Sequence, residues 1–310
     1  MPEQEPAQPS SPFAVAAVQM PVISGDNLAT IRAYAQHIRQ RFPWVGMVLF
    51  SELCVFGPSP AHAQALPGPA EDELCKIAQD TGLWLIPGSM FERVQVGGQE
   101  RIYNTTPIIN PQGQVVTRFR KLFPFRPYEQ GISAGGDFVV FDVPGAGRFG
   151  VSICYDMWFP ETTRQLVAMG AEVILHPTMT DTIDRDIELS IARASAAMNQ
   201  VYFLDVNGVG HGGCGRSIVC DCSGYTLHEA AGEAQIIPIE IDFARIRRER
   251  ERGLRGLGQP LKSFRDREIE FPVYDKARTG DGALAQLGPL VKPGQTHAGV
   301  VSNKGASGPI

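Results

Sequence analysis

The chain has 310 residues, with 28 Lys plus Arg against 33 Asp plus Glu, a formal charge of −5, 43% hydrophobic and 20% charged residues. That balance excludes a wholly disordered chain, a collagen-like repeat and a polycationic nucleic-acid binder. No uninterrupted apolar run is long enough to span a membrane, and six cysteines are too few for a disulfide scaffold, which points to a reducing cytoplasm.

Residues 1–12, MPEQEPAQPSSP, lack the basic and apolar regions of a secretory signal and read as a disordered leader. The apolar run Phe13 to Gln19 predicts a first core strand. Leu28, Ile31, Ala35, Ile38 and Phe42 then recur at helical spacing, with Asp26 as N-cap. Val45 to Phe50 is an unbroken apolar run that stops at Ser51-Glu52. It predicts a buried strand with a carboxylate at its C-terminal end. Glu71 to Asp80 suits a helix and Leu83 to Met90 a strand.

Two hairpins follow, one around Pro111-Gln112-Gly113 and one around residues 144–147. The second leads through Phe149 to Ile153 into Cys154. Glu161 to Met169 predicts a helix and Glu172 to His176 a strand. Ile187, Ile191, Ala194 and Met198 mark the apolar stripe expected of the next helix. Strands are expected at Tyr202 to Val206, Gly215 to Cys220, Tyr225 to His228 and Gln235 to Ile241. The Arg- and Glu-rich stretch Asp242 to Arg252 reads as a solvated or subunit-facing helix, since its interleaved acids argue against nucleic-acid binding.

No composition break divides residues 13–275, so one α/β domain is expected there. Residues 276–310 turn to Gly, Ala, Pro and Ser around Leu284, Leu287, Leu290 and Val291 and read as an extended tail at a subunit interface. Alternating strands and helices with two hairpins exclude a purely parallel sheet.

Glu52, Lys121, Glu129 and Cys154 all sit where a core strand meets a loop. A thiol can attack a carbonyl or nitrile carbon while a carboxylate takes its proton and an ammonium stabilises the oxyanion. A free thiol, with pKa near ~8.5, needs a base beside it at neutral pH. Taken singly, a cysteine after an apolar strand is more often an inert core residue.

The surrounding words change that weight. GRFGVSICYDMWFPETTRQLVAMGAEVIL at 147–175 resembles the nucleophile segment of the nitrilase, or carbon–nitrogen hydrolase, superfamily. SEL at 51–53, RKLFPFRPYEQG at 120–131 and IARASAAMNQVYFLDVNGVG at 191–210 are similar to its glutamate segment, its lysine segment and a later helix and strand, in order. The resemblance implies Cys154 as nucleophile, Glu52 as general base, Lys121 as oxyanion stabiliser and Glu129 as the second glutamate. The Tyr155 N–H would complete the oxyanion hole, and Arg193 would brace the site. It also implies a four-layer αββα sandwich that pairs through helical faces into a homodimer or larger assembly, with no metal or organic cofactor.

Two departures bear on the substrate. Trp158 stands where many amidase branches carry a polar residue, and it is expected to narrow the acyl pocket. The usual Pro-x-x-Trp is here Pro177-Thr178-Met179-Thr180, whose hydroxyls, Thr178 first, could donate hydrogen bonds. Cys154-Tyr155-Asp156 resembles amidases, whereas nitrile-hydrolysing branches tend to show Cys-Trp-Glu. The expectation is an amidohydrolase acting on a small linear amide. An N-carbamoyl amine or amino-acid hydrolase, a nitrilase and a catalytically idle binding subunit are the alternatives. His211, Cys214, Cys220, Cys222 and His228 lack paired zinc spacing and read as a hairpin at Ser223-Gly224 with small buried thiols. His176 reads as a structural histidine.

Overall fold

Strand β1 (Phe13–Gln19) has two apolar faces, and each is buried separately. Val15 and Ala17 join one cluster, and Ala14, Ala16 and Val18 join another. Successive side chains point to opposite sides of a strand, so a strand with no polar side must be covered on both. The same alternation recurs in the other central strands and creates the layers.

The computed structural model describes residues 12–275 and 283–292. Residues 1–11 of the leader expected over 1–12, and residues 276–282 and 293–310 of the tail expected over 276–310, lie outside the described residues. After β1 come β2 (Pro21–Val22), α1 (Leu28–Arg41), β3 (Val45–Phe50), α2 (Pro69–Thr81), β4 (Trp84–Ile86), β5 (Met90–Val96), β6 (Gln99–Ile109), β7 (Val115–Arg120), β8 (Val139–Val143) and β9 (Gly147–Val151). A 3-10 turn at Cys154–Trp158 leads to α3 (Pro160–Ala168), β10 (Val173–Thr178), α4 (Arg185–Asn199), β11 (Tyr202–Asn207), β12 (Val209–Gly210), β13 (Ile218–Cys220), β14 (Thr226–Glu229), β15 (Gln235–Ile241), α5 (Phe243–Arg252) and α6 (Pro260–Arg265).

One sheet runs β15-β1-β3-β4-β6-β5 with β7 beside β6, and the other runs β14-β13-β11-β10-β9-β8. Both are mixed. β1–β3–β4 and β9–β10–β11 are parallel, and the hairpins are antiparallel. Met47 and Leu49 of the first sheet meet Val151, Val173 and Leu204 of the second in a central cluster. Ile31 and Ile38 of α1 and Leu74 and Ile77 of α2 cover the first sheet's outer face. Leu166 of α3 and Leu189, Ala192 and Ala196 of α4 cover Ile174 and Phe203 of the second. The four layers are therefore αββα. Each fully buried Val, Leu or Ile contributes about 1.5–3 kcal/mol.

Residues 12–124 and 131–266 form one compact unit. Residues 125–130 with the described residues after 266 form a second. In the second unit the Phe125 and Tyr128 rings stack at 5.0 Å, and a 3-10 turn at Ala283–Leu287 leaves Leu284 and Leu287 exposed.

Three sequence expectations need correction, and one hairpin lies beyond them. The strand expected over Leu83 to Met90 breaks at Pro87-Gly88, where Gly88 has φ +71° and a Cβ would lie 1.7 Å from the Ser51 carbonyl oxygen. The β5–β6 hairpin carries Glu92, Arg93, Glu100 and Arg101 on a half-exposed ribbon, so it shows no apolar alternation. Its only sequence signal is the Gly97-Gly98 turn. On α4 the expected stripe faces outward, with Ile187, Ala194 and Met198 exposed. The buried face is Arg185, Glu188, Leu189, Ala192, Ser195, Ala196 and Asn199. Finally, α5 is solvated on one side only. Phe243 and Ile246 enter the central cluster, Arg245 pairs with Asp221 at 2.7 Å, Arg247 with Glu172 at 2.7 Å, and Arg250 donates to the Ala171 and Gln200 carbonyls. Arg248, Glu251 and Arg252 stay exposed on its outer side. The hairpin at Ser223-Gly224 and the buried thiols of Cys220 and Cys222 match expectation.

Candidate active site

The C-terminal ends of strands deliver the chemistry, as the geometry of open α/β sheets favours. β3 delivers Ser51-Glu52, β7 delivers Lys121, β9 leads to Cys154, and β10 ends on Thr178. Lys121 Nζ lies 2.8 Å from Glu52 Oε1, and Asn104 Nδ2 donates to the same oxygen at 2.7 Å. Both charged side chains are only 1% exposed. A lone charge there would carry a penalty of several kcal/mol, so each requires the other. The β6–β7 pairing extends into the site, because the Lys121 N–H donates to the Asn104 carbonyl at 2.9 Å.

Cys154 has φ +47°, a left-handed conformation that costs a residue with a Cβ about 1–2 kcal/mol. Asp156 holds it there. One carboxylate oxygen accepts the Ile153 N–H at 2.9 Å and the other accepts the Phe123 N–H at 2.8 Å. The same side chain thus ties the nucleophile turn to the segment just after Lys121. Burial pushes the Asp156 carboxyl up to about 7, against the pull of those two N–H groups.

Burial, then the Glu52 carboxylate, push the Cys154 thiol well above its usual range. The Lys121 ammonium and a backbone hydrogen bond from Met179 pull it down. The resting sulfur is therefore protonated and depends on a base. Glu52 is fixed through its backbone as well, its N–H donating to the Thr178 carbonyl at 3.2 Å. Leu53 also has a left-handed backbone, φ +52°, and its N–H donates to Ser89 Oγ at 2.8 Å.

Glu52, Lys121 and Cys154 are thus brought together. Glu129 lies in the second unit, where its carboxylate accepts the Phe125 N–H at 2.6 Å. Tyr155 is half-buried with its ring 5.3 Å from Phe159. Trp158 packs against the helix-side cluster that contains Met157 and Leu166. Thr178 is the last residue of β10, is fully buried, and its Oγ1 has no hydrogen-bond partner among the described residues. Arg193 is exposed on α4 and does not brace the site. Arg185, one face round the helix, occupies the buried position. His176 Nδ1 lies 2.7 Å from Ser152 Oγ, and burial pushes the imidazole down to about 4.

Asn104, Asp156 and Met179 were not singled out from the sequence. Asn104-Thr105-Thr106 is a polar trio in the inner half of β6, between Tyr103 and Ile108, and all three are buried. Such a run signals an internal hydrogen-bonding role. Among the described residues, no three His, Cys, Asp or Glu side chains are grouped to hold a metal, and no helix is long and apolar enough to cross a membrane.

An αββα sandwich with a buried carboxylate–ammonium pair and a cysteine at its strand ends defines a class of hydrolases, and comparison with known proteins gives the same class. The family model described as carbon–nitrogen hydrolase matches residues 14–251. A formamidase of Bacillus cereus is 30% identical, the match covering 89% of this chain and 94% of that protein. Nit3 of Saccharomyces cerevisiae, a member of branch 10 of the nitrilase superfamily, superposes with a TM-score of 0.70 at 26% identity, over 77% of this chain and 93% of its own. A Nesterenkonia amidase shares the fold with a TM-score of 0.70 at 23% identity, over 84% and 95% of the two chains. The chain belongs to the carbon–nitrogen hydrolase family.

Proposed function

We propose that the protein hydrolyses small linear amides through a thioester on Cys154, releasing ammonia. The observation that carries this reading is the Glu52–Lys121 pair, fully buried beside a thiol that is itself held in a left-handed turn. Glu52 takes the thiol proton as sulfur attacks the amide carbon. Lys121 and the Tyr155 N–H receive the developing oxyanion. The tetrahedral adduct collapses, the C–N bond breaks, and the leaving nitrogen takes the proton from Glu52 as ammonia departs. Water then attacks the thioester carbon and gives its proton to Glu52. The carboxylic acid leaves, and Cys154 recovers its proton. Glu129 acts as the second glutamate, orienting substrate or lysine, and Thr178 and Trp158 are assigned to the acyl pocket. No step needs a metal or organic cofactor.

The formamidase relatives support an amide rather than a nitrile as substrate. A nitrile would give a thioimidate, whose nitrogen must be protonated before ammonia can leave. Short aliphatic amides are therefore expected to turn over faster than matched nitriles, and an ammonia-release screen over amides, carbamoyl compounds and nitriles tests this. Efficient nitrile turnover with negligible amidase activity would overturn the assignment.

The outward stripe of α4, Ile187, Ala194 and Met198 with Ile183 just before it, supports a homodimer formed through this helix. Ile187→Glu with Met198→Glu should shift sedimentation to a smaller species, and an unchanged profile would remove α4 from the interface. Six free thiols support a reducing cytoplasmic compartment.

A further inference from the structure

The peptide group between Thr178 and Met179 serves two catalytic elements at once. Its carbonyl accepts the Glu52 N–H at 3.2 Å, and its N–H is the Met179 backbone donor that favours the Cys154 thiolate. One peptide plane therefore links the base of the first sheet to the nucleophile of the second. Rotating it would move both.

Thr180, two residues on, is pinned on every polar atom. Its N–H donates to Asn207 Oδ1 at 3.0 Å, and its carbonyl accepts from Asn207 Nδ2 at 2.8 Å and from the Cys214 N–H at 2.9 Å. Its hydroxyl donates to Glu188 Oε1 at 3.0 Å. Glu188 is itself clamped. Arg185 reaches its other oxygen at 3.1 Å and Asp205 at 2.8 Å, and also donates to the Arg216 carbonyl at 2.8 Å. Arg185, Glu188 and Asp205 are all at most 3% exposed. Such a cluster is expensive to bury and rigid once its donors are satisfied. On the other side, the Met179 side chain packs against Leu53, Phe91 and Ile132, so the segment is held from both flanks.

We propose that Thr180 is a positioning residue: its hydroxyl bond to Glu188 fixes the Thr178–Met179 peptide, and through it the distance and direction between Glu52 and Cys154. The inference rests on the reading of Cys154 as nucleophile. A misplacement of about 1 Å in such a constellation can cost about 10²-fold in rate.

The test is Thr180→Val, which keeps shape and removes the hydroxyl, beside Thr180→Ser, which restores it. Two readouts are taken on the folded enzyme: kcat and KM for a small amide, and the pH dependence of iodoacetamide alkylation at Cys154. Three charged groups act on that sulfur, Glu52, Lys121 and Glu188, and all remain in both variants. Thr180→Val should lower kcat by about 10–100-fold with a smaller change in KM, and should move the alkylation midpoint to higher pH. Thr180→Ser should return both towards wild type. Where the valine variant fails to fold, Thr180→Ala makes the same test without placing a methyl against the carboxylate. A folded hydroxyl-less variant with wild-type kcat and an unmoved midpoint would overturn the proposal, as would equal losses in Val and Ser. The nucleophile reading fails separately, through retained turnover in Cys154→Ala, and the alkylation profile would still report on the Thr180 bond.

Discussion

The molecule buries two charge clusters at the ends of its central strands, and they are built differently. At Glu52–Lys121 a carboxylate meets an ammonium at 2.8 Å, Asn104 Nδ2 donates to the same carboxylate oxygen, and the Asn104 Oδ1 has no hydrogen-bond partner among the described residues. At Arg185 a guanidinium faces two carboxylates, Glu188 and Asp205, and donates to a backbone carbonyl, while Asp205 is held by ion pairing and its oxygens accept no hydrogen bond among the described residues. A lysine offers a compact charge with rotatable donors, whereas an arginine offers a fixed fork. The first cluster suits a site where charge must move during turnover. The second suits a scaffold that must not move. Burial alone does not mark a catalytic ion pair. What distinguishes the first is the thiol beside it.

Breaking the catalytic side should have the largest effect. Cys154→Ala is expected to lower turnover by ~10⁴-fold or more while the fold persists, measured as ammonia release alongside circular dichroism. Lys121→Met strands the Glu52 carboxylate and should show both faults, a loss of turnover and a destabilisation of about 3–5 kcal/mol in urea titration. Arg185→Met should be chiefly a stability defect of similar size, because it leaves Glu188 and Asp205 buried together. If Arg185→Met were neutral in urea while Lys121→Met were not, the contrast between fixed and working cluster would need redrawing.

His176 sharpens the comparison from the same strand. Its imidazole titrates near 4 in the folded chain and near 6.5 when unfolded. As pH falls below about 6.5 the unfolded chain takes the proton first, so stability is lost between about pH 6.5 and 4, by about 3 kcal/mol in all. Asp156, raised to about 7, contributes a slope of opposite sign over much of that window. The contribution of His176 is therefore read as the difference between the wild-type and His176→Gln profiles, which should diverge as pH falls. Parallel profiles would mean that the imidazole is not held neutral by burial. The smallest expected effect is Asp156→Asn, which replaces one of two N–H acceptors and should destabilise by about 1–3 kcal/mol in the same titration.

Much of this was legible in the sequence where one physical rule decided the outcome. Doubly buried strands such as β1 and β3 showed as unbroken or near-unbroken apolar runs, and their bounds agree with the structure. Glu52, Lys121 and Cys154 were legible because ordered motifs surround them. The failures share one cause. On α4 the apolar stripe was real but faced outward, because the inward face carries Arg185 and Glu188 paired with each other and with Asp205. On α5 the arginines looked solvated because their partners, Asp221 and Glu172, are distant in sequence. Hydrophobic periodicity cannot register a polar residue whose partner comes from another element. The Thr178–Met179 peptide was invisible for a similar reason, since a backbone group acts through conformation and carries no residue signature.

The most direct test of the central claim is mass spectrometry of the enzyme acid-quenched during turnover of a short aliphatic amide, followed by peptide mapping. The peptide carrying Cys154 is expected to gain the mass of one acyl group and to lose it when hydroxylamine is added before the quench, with hydroxamate appearing in its place. Steady turnover with no acyl group on Cys154, and no hydroxamate formed, would contradict the claim.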